Sequence, residues 1–369
     1  MKFKSIPLVG ALAAVLTVLA VAPAAAAGST AGAVYTLSNS AGGNAVIAYS
    51  RASDGSLAPL GTFPTGGLGS GGGLGSQGAV TLSGDGQWLV AVDAGSNDIT
   101  SFAVGADHRL TVAGRIWSGG IHPISVTVGN GFVYTVNDGG AGNIAGFSIS
   151  ATGALSAITG SSRPLSSSSA GPAQISLTPG GGKLVVTEKA TNRITTYAVG
   201  ANGANGAAGA PTWITSAGQT PFGFDFDNKG RLIVSEAFGG APNASTVSSY
   251  DVSGGSASLI DGPVAITQTA ACWVVVTNNG KYAYASNTGS GSISGLAVSN
   301  DGSLSLLDSN GVTGVTGGAP TDMSLSSNSK FLYARVGAAL HAFRINNDGS
   351  LADLGSTTTQ AGTVGLAAS

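Results

Sequence analysis

Charge is what this sequence has least of. Charged residues fill 9% of its 369 positions, against roughly 25% in an ordinary globular domain. Formal net charge is -2, so no basic surface exists to attract nucleic acid or anionic lipid. Cysteine occurs once, as Cys272, which rules out an intramolecular disulfide. Its strand-like surroundings suit a buried small residue better than a reactive thiol. The 3 histidines do not cluster with it, so neither a metal site nor a cofactor is expected. No Gly-x-Ser-x-Gly quintet occurs; the nearest stretch, Gly291 to Gly295, puts Ile293 where a nucleophile would stand. The glycine runs do not follow a strand and open a helix, which removes phosphate-loop and dinucleotide readings.

Long apolar runs are confined to the start. Lys2 and Lys4 precede an apolar Ile6 to Val21, and Ala25-Ala26-Ala27 precedes Gly28. This is the pattern of a cleaved export signal over residues 1–27. The expectation is one domain over 28–369, secreted or held in the periplasm or cell envelope, acting as a monomer without a membrane span.

What is abundant is turn chemistry, with 60 glycines. The stretch Ala270 to Leu307 reads as four short strands: Val274 to Val276, Tyr282 to Ser286, Ser292 to Val298, and one around Leu304. Asn279-Gly280 and Asp301-Gly302 turn the chain between them, because glycine accepts the positive φ that such turns need. The unit recurs every 45 to 50 residues. Its second strand appears seven times: Val34 to Leu37, Leu89 to Val92, Val133 to Val136, Leu184 to Thr187, Leu232 to Ser235, Ala283 to Ser286 and Leu332 to Arg335. An Asp-Gly-Ser-Leu turn recurs at 54–57, 301–304 and 348–351. The fold class that follows is all-β, a seven-bladed propeller of four-stranded antiparallel blades. Blade 1 lacks an inner strand of its own, and Gly362 to Ala368 is expected to supply it and close the ring. Gly66 to Gly75 and Ala201 to Gly209 are low in complexity and read as long flexible loops.

In such a blade the inner strand starts where the second strand ends, so both positions converge on one mouth of the central channel. There the sequence offers His122, Gln174 and Asp322 at inner-strand starts, and Asp93, Asn137, Glu188, Glu236 and Asn287 at second-strand ends. A small-molecule ligand at this polar crown is the expectation. Asn and Asp also serve as turn residues in such places. Glu188 and Glu236 are less easily explained that way, since Glu is a poor turn former.

With seven blades, an export signal and segments such as Gly171-Pro172-Ala173-Gln174-Ile175-Ser176-Leu177, the chain resembles the lactonase-type seven-bladed propeller family. That family includes propeller 6-phosphogluconolactonase and 3-carboxy-cis,cis-muconate cyclase. The resemblance implies a His-x-His at the blade 3 inner strand, where this chain has Gly120-Ile121-His122. It implies Gly-Pro-Arg-His at blade 4, where Ala173 and Gln174 replace the last two residues. The acid after the following strand matches Glu188. The resemblance thus leaves His122 and Glu188 as catalytic candidates, with Gln174 at a substituted position. Lys189 or Arg193 could stand in for the lost arginine. Whether the chain is an enzyme stays open. The first reading is an exported propeller that binds a sugar-acid-like or lactone-like ligand with a depleted catalytic set. The alternatives are an active lactone hydrolase or cyclase, and a cell-surface interaction propeller.

Overall fold

The second-strand runs are almost wholly apolar, and each is buried on both sides between neighbouring blades. Leu89, Val90, Tyr134, Leu184, Leu232, Tyr284 and Tyr333 have no exposed surface. A strand of this kind cannot face water on either side, so sheets must pack face to face. The computed structural model, which describes residues 1–2, 31–200 and 206–369, arranges seven such sheets in a ring. The export signal read at 1–27 lies outside the described residues apart from its first two. Among the described residues no helix is long and apolar enough to cross a membrane.

Six blades run in chain order from an inner strand outward. Their inner strands are Val80–Leu82, Pro123–Gly129, Pro172–Leu177, Pro221–Phe226, Ala271–Val276 and Pro320–Leu325, in blades 2 to 7. Blades 3 and 6 divide the outermost position between two short strands, Leu155–Ala157 with Arg163–Pro164 and Leu304–Leu306 with Gly314–Val315. Blade 1 starts with Gly32–Leu37 as its second strand, and its inner strand is the chain end, Val364–Ala368, paired antiparallel with Val34 opposite Ala368. This is the closure expected from the sequence.

The recurring turn has a partner in the next blade. The Tyr333 hydroxyl of blade 7 donates to the Gly55 carbonyl of blade 1 at 2.9 Å, and Tyr284 of blade 6 to Gly349 of blade 7 at 2.7 Å. Gly55 sits at φ 92, a conformation that glycine adopts without strain. Asp54 and Asp348 accept from the Ser56 and Ser350 N–H groups two residues on. At these two turns the turn and the buried tyrosine are two halves of one inter-blade contact, while in the third copy Gly302 O accepts from the Ser249 hydroxyl of blade 5 at 2.7 Å.

One expectation fails. The Gly66 to Gly75 run is not a loose loop but is bonded along its length. Gly69 N–H donates to Ser40 O at 2.8 Å, Gly71 N–H to Asn39 O at 2.9 Å, and the Asn39 side chain holds Ser70 and Gly72. Leu74 is 7% exposed and joins the main core. The glycines are there for closeness: a Cβ on Gly69 would stand 2.1 Å from the Asn39 carbonyl carbon. Of the second run, 201–205 lie outside the described residues, and Ala208–Gly209 open a strand of blade 4.

Candidate functional site

The second strands of blades 2 to 6 do end in polar side chains, Asp93, Asn137, Glu188, Glu236 and Asn287, and all five are buried inside the ring. Those of blades 1 and 7 end in Leu37 and Val336. Glu188 has no exposed surface. Its carboxylate accepts from Ser166 N–H at 3.0 Å, from the Thr191 and Thr195 hydroxyls at 2.8 Å each, and from the Ser166 hydroxyl. Glu236, equally buried, accepts from Gly218 N–H at 2.9 Å and from the hydroxyls of Ser216, Ser248, Tyr250 and Thr246. Asp93 accepts from Asn44 at 2.9 Å, Thr65 at 2.6 Å and Thr100 at 2.7 Å, and burial still raises its pKa above the usual carboxylate range. Asn137 exchanges hydrogen bonds with Ser118, and Asn287 donates to Ser292 and Ser294.

These contacts share a plan. Asp93, Glu188 and Glu236 each tie a hydroxyl on their own third strand to the segment arriving from the preceding blade. They act as latches between blades. Asp93 and Thr100, Glu188 and Thr195, and Asn287 and Ser294 are all seven residues apart, a spacing that was readable in the sequence.

The inner-strand starts are arranged differently. Gln174 accepts Phe224 N–H at 2.7 Å and donates to Phe224 O at 3.0 Å, binding blade 4 to blade 5. Gln77 does the same across the channel, accepting Val274 N–H at 3.0 Å and donating to Val274 O at 2.7 Å. Gly223 makes room for it, since a Cβ there would lie 2.2 Å from the Gln77 oxygen. Ser76 O accepts from Trp273 Nε1 at 2.9 Å and Gly75 O from Lys189 Nζ at 2.6 Å. The end of the glycine-rich run thus roofs the channel at the mouth where the crown was expected. Asp322, 1% exposed, accepts Met323 N–H through Oδ1, and its Oδ2 has no partner among the described residues. Burial holds its pKa well above the usual value.

His122 is the accessible member. Its φ of 57 turns the chain into the blade 3 inner strand, and its N–H donates to Asn97 Oδ1 at 2.7 Å. Nδ1 lies 2.5 Å from Asp138 Oδ1, with both side chains about one third exposed. The hydrogen bond to Asp138 raises the imidazole pKa above its usual value, against a smaller opposing effect of burial. Lys189 lies in the reach of the same carboxylate, which offsets part of the burial that lowers its own pKa. Its ammonium also sits 5.0 Å above the Phe222 ring. The structure therefore pairs His122 with Asp138, and Glu188 is engaged elsewhere. The sequence places Asn137-Asp138 at the crown, but nothing in their spacing pairs Asp138 with His122, and the family resemblance points to Glu188 as the partner instead. Among the described residues no three His, Cys, Asp or Glu side chains gather as metal ligands.

A family model described as "Lactonase, 7-bladed beta-propeller" matches residues 28–160 and 236–368. The chain belongs to that family. Solved structures agree on the architecture of this lactonase-family propeller. A candidate 6-phosphogluconolactonase from Bacteroides fragilis aligns at TM-score 0.70 and 19% identity, covering 94% of this chain and 100% of its own. A periplasmic gluconolactonase from Pseudomonas aeruginosa aligns at TM-score 0.69 and 15% identity, covering 91% and 98%. No curated protein matches the chain.

Proposed function

We propose that this lactonase-family propeller is exported and holds a small sugar-acid-like or lactone-like ligand beside His122, Asp138 and Lys189, with turnover weak or absent. The observation that carries the reading is Asp138, which stands 2.5 Å from a part-exposed His122 imidazole and within electrostatic reach of the Lys189 ammonium. An ammonium and an imidazole whose protonated form is favoured by its carboxylate partner suit a carboxylate or the polarised carbonyl of a lactone. The depleted catalytic set is supported by Glu188, whose oxygens are spent on hydroxyls and a backbone N–H. Ala173 and Gln174, where the family resemblance implies a cation and an imidazole, support it too.

The second reading, an active lactone hydrolase, is favoured by one feature. A carboxylate on Nδ1 fixes the imidazole's orientation and leaves Nε2 for proton transfer. Calorimetry with gluconate and a hydrolysis assay on glucono-δ-lactone separate the two. Gluconate binding that is lost in Lys189→Met, with hydrolysis at the uncatalysed rate, is the expected result. Hydrolysis that disappears in His122→Ala establishes the second reading instead. Cell fractionation with N-terminal sequencing checks export; protein confined to the cytoplasm and still starting at Met1 overturns it.

A further inference from the structure

Below the Gln77 roof the channel is open. Its cavity of about 300 Å³ runs from Gln77 and Gln174 down to Asn278, Ser326 and Ser327, in the turns at the opposite face. Register fixes what lines it half-way. Thr81 pairs with Val90, Thr127 with Tyr134, Ser176 with Val185, Asp225 with Ile233, Val275 with Tyr284, Ser324 with Tyr333 and Ala368 with Val34. Each partner stands three residues before the crown position of its second strand, so these seven inner-strand residues form one ring at one level, and all of them line the cavity. Four carry hydroxyls and one a carboxylate; Val275 and Ala368 are the two apolar positions, standing on either side of Ser324.

Asp225 is the one ionisable residue among those lining the cavity. Oδ1 accepts Phe226 N–H and Oδ2 accepts Val276 N–H, both at 2.8 Å, so the carboxylate is held rigidly across blades 5 and 6. No cationic side chain lies within salt-bridge distance of it among the described residues. Each oxygen keeps a lone pair beyond its backbone donor. Burial with no cation to offset it pushes the group up to about 6. The Ser324 hydroxyl makes no hydrogen bond among the described residues, and Ser176 is bonded only locally, to Leu177 O at 3.3 Å.

We infer that this ring is a second binding site, entered from the face opposite His122, for a small polyhydroxylated molecule that carries an ammonium group. Its ammonium pairs with Asp225, and its carbon-bound hydrogens lie against Val275, the blade 6 neighbour of Asp225. Its hydroxyls exchange hydrogen bonds with Ser176 and Ser324 and donate to Thr81, whose own hydrogen is held by Val126 O at 2.9 Å. The volume lies at the lower end of the range for small-molecule pockets and fits a single sugar ring. A charge-assisted hydrogen bond exceeds a neutral one enough to favour the aminated sugar by about tenfold or more.

The test uses glucosamine, glucose and gluconate as probes, by calorimetry on the full chain near neutral pH. Glucosamine is expected to bind at least about tenfold more tightly than glucose, and Asp225→Asn to erase the difference. If Asp225→Asn fails to fold, Ser324→Leu carries the test by filling the ring from a position without structural bonds, and is expected to abolish glucosamine binding. Equal affinities for the two sugars, no glucosamine binding, or a preference that survives both variants overturns the inference. Lys189→Met and His122→Ala are expected to leave glucosamine binding intact while gluconate binding falls. Loss of glucosamine binding in those two variants would place the amine at the other mouth and overturn this site without touching the anion reading.

Discussion

The contrast between His122 and Glu188 shows how little residue type says without its partners. Both were offered by the sequence as chemistry at the same mouth, yet one is half-open to water and the other is sealed under three hydroxyls and a backbone N–H. The His122–Asp138 pair has a pH consequence. The carboxylate raises the imidazole pKa, so the pair's contribution is complete below the ordinary histidine value and is lost as pH rises through the higher folded value. Anion affinity at the corner should fall over the same window. In Asp138→Asn the raising contact goes and burial remains, so the pKa should drop to or below its ordinary value. Imidazole NMR titration of both proteins checks this; an unchanged His122 midpoint in the variant would show that Asp138 does not hold the ring.

At the scale of elements, the strands were legible because their signals are local. A run such as Leu184 to Thr187 is buried on both sides, and the Asn-Gly and Asp-Gly turns mark its limits by backbone chemistry alone. The latches were less legible, since Glu236 draws its partners from 216 through 250. The glycine-rich run misled for a related reason. Low complexity argues against order only when a segment must bury its own side chains, whereas Gly69 and Gly71 are bonded through their backbones to the Asn39 region. The latch predicts a graded loss. Glu236→Ala strands several buried hydroxyls at about 1–3 kcal/mol each, so a loss of at least about 3 kcal/mol in denaturant unfolding is expected. Glu236→Gln keeps one acceptor oxygen and should lose less. Equal, small losses in both would mean that the hydroxyls find other partners and the latch is not structural.

For the whole molecule the decisive contact joins its two ends. The inner strand of blade 1 comes from the last residues of the chain, so the ring exists as a closed object only while Val364–Ala368 pairs with Gly32–Leu37. The Thr36 hydroxyl donates to Gly365 O at 2.7 Å. Arg51, 2% exposed, reaches Ser369 O at 3.0 Å and Ala31 O at 2.6 Å, clamping the terminus between blades 1 and 7. Leu366 packs there with Phe331 and Tyr333 of blade 7. Without this strand, blades 1, 2 and 7 would face open water along the channel, and an unpaired strand edge would invite association with other chains. A chain ending at Gly362 should therefore lose cooperative unfolding or aggregate, rather than lose one-seventh of its stability. Leu366→Ala, which keeps the backbone pairing, should cost about 2–5 kcal/mol and still melt in one transition. Calorimetry on both proteins tests the closure. A truncated chain that melts like the full one would mean that the seven sheets hold their circle by face-to-face packing alone.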